Sequence, residues 1–128
     1  MGSISARAYN RPRAANRAKE GSMPKYLIEG SYTTEGLRGL KQDKASGRRA
    51  AVMKAVESLE GRVEAFYFSM GERDVVCIID VPDAASVAAM SLAASASGLV
   101  RVKTTALLAV EEIDRALDKK ITYRAPGT

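Results

Sequence analysis

One antiparallel sheet with helices on a single face, an α+β domain, follows from three features of this chain. Short β-branched and aromatic runs alternate with longer segments whose apolar residues recur at helical spacing. Two of those runs are separated by a turn-sized Met-Gly-Glu-Arg segment, the mark of a hairpin. With 128 residues, 46% of them hydrophobic, the chain fits one domain and leaves little room for two.

The elements follow in order. Lys25 to Tyr32 (KYLIEGSY) reads as a strand, and Thr33 or Thr34 can cap a helical turn through Glu35, Leu37 and Leu40. A polar stretch, Lys41 to Gly47, interrupts the apolar pattern. A second helical segment opens at Ser46, with Val52, Val56 and Leu59 at i, i+4 and i+7, and Gly61 is its predicted left-handed stop. Residues 62–69 and 74–81 form the hairpin. Pro82 ends its second strand, and Asp83 caps an Ala/Ser-rich helix that carries Val87, Met90 and Ala94 on one face and stops at Gly98. A strand over 100–108 and a short helix over 110–118 complete the chain. The order β-α-β-β-α-β plus a terminal helix is the ferredoxin-like plan.

Two helices can cover only one face of such a sheet. Strand three splits into Val75, Cys77, Ile79 and Val81 against Asp74, Val76, Ile78 and Asp80. Strict alternation along strand two sets Val63, Ala65 and Tyr67 against Phe66 and Phe68, and strand four sets Val102, Thr104, Ala106 and Leu108 against Arg101, Lys103, Thr105 and Leu107. Both faces therefore hold large apolar groups. The expectation is a homo-oligomer that buries Phe66, Phe68, Val76, Ile78 and Leu107, with Glu64, Asp80, Arg101 and Lys103 paired beside them.

Charge is concentrated at the amino end. Arg7, Arg11, Arg13, Arg17 and Lys19 against Glu20 give residues 1–22 a net +4 of the chain's +5. That segment has almost no aliphatic content, so it reads as a disordered basic leader or a cloning-derived extension, with the domain spanning 23–128. Nucleic acid or an acidic partner would engage it through its arginines if at all.

The composition excludes several chemistries. Histidine and tryptophan are absent and Cys77 is the single cysteine. Within one chain this removes a disulfide framework, a Cys/His zinc site and any Ser-His or Cys-His nucleophile. No metal, no cofactor and no membrane association are expected, and the chain reads as cytoplasmic. Tyr26, Tyr32 and Tyr67 could offer hydroxyls to a cavity between sheet and helices, and Arg48 and Arg49 could attract a small anionic or aromatic ligand at a helix start.

The string Met23 to Thr33 (MPKYLIEGSYT), with Gly36-Leu37, Arg48 to Val52, Gly61 to Phe68, Gly71 to Val75 and Val102 to Thr105, resembles the GYD-domain family of small prokaryotic proteins. The similarity spans residues 23–124. The Gly-Tyr-Asp element falls at Gly71 to Asp74, where Arg73 replaces the tyrosine, so no role carries over to that side chain. The resemblance implies a ferredoxin-like chain of the dimeric α/β-barrel type and no activity. Three functions stay open: a non-catalytic oligomeric module that binds or senses a small ligand, a histidine-free, cofactor-independent monooxygenase or isomerase, and nucleic-acid binding through the leader.

Overall fold

A computed structural model describes residues 23–128; the leader reading falls on residues outside that range. Four strands, β1 (Lys25–Tyr32), β2 (Arg62–Phe68), β3 (Val75–Asp80) and β4 (Val100–Leu107), form one antiparallel sheet in the order β2-β3-β1-β4. Helices α1 (Thr34–Ser58) and α2 (Ala84–Ala96) lie on one face, and α3 (Val110–Asp118) follows β4. This is the ferredoxin-like α+β plan. Among the described residues no helix is long and apolar enough to cross a membrane.

Local chemistry explains the boundaries. Thr33 caps α1, its hydroxyl accepting the Gly36 N–H at 3.1 Å, and Asp83 caps α2 by accepting the Ser86 N–H at 2.9 Å. The expected polar break within α1 is narrower than Lys41–Gly47: only Lys44 leaves the helical region (φ 70), and the residues on both sides stay helical. Gly98 closes α2 at φ 74. Gly61 is a correction. The left-handed residue after α1 is Glu60 (φ 63), and the Gly61 N–H returns to the Val56 carbonyl at 3.0 Å. Glycine is needed at 61 for room instead: a Cβ there would stand 2.3 Å from the Asp80 carbonyl oxygen.

The core lies between the sheet and the two helices. Ile28, Val56, Cys77, Ile79, Val81 and Val87 are buried, with Tyr26, Val52, Val63, Phe66, Met90 and Val102 packed around them. Burial pushes the Cys77 thiol up to about 11, so it stays protonated and acts as a small apolar side chain.

A β-bulge decides which face the phenylalanines join. Val63 pairs with Ile79 but Ala65 pairs with Ile78, so Glu64 is an extra residue in β2. Beyond it every side chain changes sides. Phe66 faces Cys77 and Phe68 faces Val75, both on the helix-covered side, and the two rings meet edge to face at 5.5 Å. The expectation that Phe66 and Phe68 share the open face with Val76 and Ile78 is therefore overturned. Ala65 and Tyr67 take their places there, and the β3 and β4 assignments hold. The open face reads, across β2-β3-β1-β4, as Arg62-Asp80-Lys25-Leu107, Ala65-Ile78-Leu27-Thr105 and Tyr67-Val76-Glu29-Lys103.

Candidate functional site

The helices α1 and α2 do not close on each other. Because α2 is built largely of alanine and serine, most of its side chains are too short to fill the space beside α1. A cleft of about 500 Å³ remains between the two helices and the ends of β1 and β4. Leu40, Val52, Leu59, Met90 and Leu99 form its apolar walls, with alanines from both helices between them. Tyr32, Ser58, Ser97, Asp43 and Arg48 supply the polar groups. Arg48 stands 3.8 Å from Asp43 across the Lys44 kink, and its side chain is about two thirds buried. The kink thus brings a carboxylate to an arginine whose position at a helix start would otherwise oppose the helix dipole.

The predicted ligand residues do not converge. Tyr32 and Arg48 line the cleft, whereas Arg49 is exposed on α1 outside it. Tyr26 packs on the core beside Ile79, and Tyr67, 69% exposed, lies on the opposite face of the sheet. Leu40, Asp43, Met90 and Leu99 escaped the sequence reading. Their signal was indirect: a helix of small residues leaves a gap, but nothing in the sequence says which neighbours border it.

A second polar centre crosses the open face. Asp80 is 2% exposed, and Lys25 Nζ donates to its Oδ1 at 2.8 Å. Arg62 Nε stands 3.0 Å from Oδ2 as a charge contact without hydrogen-bond alignment. Lys25 also pairs with Glu64. Burial alone would push the Lys25 ammonium down, but its hydrogen bonds to Asp80 and Glu64 prevail and hold it above the ordinary lysine value. The hydrogen bond from Lys25 holds Glu64 below the usual carboxylate range. Arg101 and Lys103, expected to meet Glu64 and Asp80, lie on β4 beyond β1 and pair with neither. Among the described residues no group of three or more His, Cys, Asp or Glu is placed to hold a metal ion.

The GYD domain family model matches residues 26–117, most of the chain and all four strands but the first residue of β1. The chain belongs to the GYD-domain family. In this GYD domain the segment Gly71 to Asp74 is the β2–β3 turn, with Gly71 at φ 130. Asp74 is its structural residue: its Oδ2 accepts the Tyr32 N–H at 2.8 Å, and its own N–H donates to the Gly30 carbonyl at 2.8 Å. Those bonds tie the turn to the end of β1 and need no tyrosine at position 73. The GYD domain is also similar to the crystal structure of the Mycobacterium tuberculosis leucine response regulatory protein (LrpA), at 18% identity and a TM-score of 0.46. That match covers 86% of this chain and 62% of the regulator, so the GYD domain spans less than two thirds of the regulator's length. No curated protein matches the chain.

Proposed function

We propose that this domain is a non-catalytic, self-associating module that holds a small ligand with an aromatic or apolar body and an anionic group. The observation that carries the reading is the cleft between α1 and α2. About 500 Å³ is within the range of small-molecule sites, and its walls are apolar with few polar groups. Arg48 contacts Asp43 at only 3.8 Å, which leaves guanidinium donors for an anion. The reading as an enzyme finds less support, because the Ser58 and Ser97 hydroxyls in the cleft donate to the Ala55 and Ala94 carbonyls of their own helices, at 2.6 Å each, and Asp43 faces Arg48. Self-association rests on the open face, where Leu27, Val76, Ile78 and Leu107 lie beside the Lys25-Asp80-Arg62 charges, which pair within the chain.

Anilinonaphthalene sulfonate, an aromatic anion, is a suitable probe of the cleft. Its fluorescence should rise saturably with the wild-type protein. Arg48→Gln should weaken binding about tenfold, and Ala94→Phe, which fills the cleft from α2, should abolish it. Equal binding by all three proteins would contradict the assignment.

A further inference from the structure

The helix α3 is well formed yet packs only loosely on its own chain. None of its nine residues is buried. Val110, Ile113 and Leu117 are 74%, 42% and 76% exposed, and at i, i+3 and i+7 they make one stripe. Leu108 before the helix and Ile121 and Tyr123 after it are exposed as well. An isolated helix this short is marginal in water, so an apolar stripe of this kind needs a surface to pack on.

Its orientation says that the surface is not its own domain. Glu111, Glu112 and Arg115 lie on the side of α3 opposite the stripe. They line a cavity of about 570 Å³ together with Lys25, Arg62 and Asp80 of the sheet. The helix thus turns its charged side to its own domain and its apolar side outward. Glu112 also caps the helix, accepting the Ala109 N–H at 2.8 Å.

We infer that α3 is an exchanged arm, its Val110-Ile113-Leu117 stripe packing on the open sheet face of a second copy that returns the same contact. The inference rests on the reading of that face as a self-association surface and specifies what covers it. Charge selects a second copy. Asp114 and Asp118 border the stripe, while Arg101 and Lys103 border the open face on β4 without an ion pair to any described carboxylate. Shape agrees. In the central row, Ala65 and Thr105 flank Ile78 and Leu27, so small groups stand on either side of the apolar pair.

Light scattering across a concentration series on the full chain tests this. The wild type should self-associate, and Ile113→Glu with Leu117→Glu should raise the dissociation constant about a hundredfold. Because Ile113 and Leu117 are not buried in their own chain, that double variant should keep the far-ultraviolet circular dichroism of the folded sheet. Asp114→Lys with Asp118→Lys should weaken association about tenfold, and adding Arg101→Glu with Lys103→Glu to the same chain should restore it. If Ile78→Lys dissociates the protein while the Ile113/Leu117 variant associates like wild type, the arm is refuted and self-association through the sheet stands. Charge reversal on α3 that reversal on β4 fails to restore overturns the seating of the arm on β4. A wild-type chain that stays monomeric overturns both.

Discussion

The two faces of the sheet are built by different rules although they share the same four strands. On the covered face Ile28, Cys77 and Ile79 are buried, and Phe66 packs against them under α1 and α2. On the open face the neighbouring residues Leu27, Val76 and Ile78 remain half-buried, interrupted by the Lys25-Asp80-Arg62 charges. The first face is covered by the chain's own helices, apart from the cleft between them. The second keeps apolar side chains half-buried beside charges, the feature on which the proposed self-association rests. Glu64 separates the two: by inserting one residue into β2 it sends both phenylalanines to the covered side.

The largest contrast should come from adjacent isoleucines. Ile79→Ala, at a side chain with no exposure, should cost about 2–5 kcal/mol in urea unfolding of the dissociated chain. Ile78→Ala should cost about 1 kcal/mol under the same conditions, since a single chain only half-buries it. Equal losses would erase the distinction between faces.

Removing the bulge should come next. Deleting Glu64 forces one side of β2 into the wrong face, so Phe66 or Val63 leaves the core at a cost of about 2–4 kcal/mol. Glu64→Gln keeps the residue count and should cost well under 1 kcal/mol, because the Lys25 pair is partly open to solvent. A deletion as mild as the substitution would refute the role of the bulge.

Glycine substitutions sharpen the comparison at the helix ends. Gly61→Ala, beneath the covered face, should cost about 1–3 kcal/mol because its Cβ has no room beside the Asp80 carbonyl. Gly98→Ala meets nothing within 4 Å and should cost about 1 kcal/mol, from φ alone. Thermal unfolding should rank them in that order.

The smallest effect is on pH dependence. Glu64 titrates below its ordinary range in the folded chain, so its contribution is present above that range and fades as pH falls through the depressed value. Lys25 titrates above its ordinary value, so its contribution is present below that value and fades as pH rises through the raised one. Glu64→Gln should weaken the acid limb and retain an alkaline one, measured as unfolding free energy against pH.

Most of the fold was legible because it rests on local signals. Thr33 and Asp83 are strong caps, Gly98 takes a left-handed turn, and β3 and β4 alternate without interruption. What escaped depends on the third dimension. Nothing in the run RVEAFYF marks Glu64 as a bulge, because the register of β2 is set by β3 and by the close packing of Gly61 on Asp80. The partners of Asp80 were misjudged for a related reason. Strand order puts β1 between β3 and β4, so Lys25 reaches the carboxylate and Arg101 and Lys103 do not. The cleft was legible only as an expectation of space between sheet and helices, and its walls required the helix positions.

Sedimentation of the wild type beside Ile78→Lys tests the division of the two faces most directly. The wild type should run as a multiple of the 13.7 kDa chain, and Ile78→Lys, with the covered face untouched, should run at 13.7 kDa with its secondary structure intact. A wild-type chain at 13.7 kDa, or an Ile78→Lys chain that assembles as the wild type does, would contradict the account.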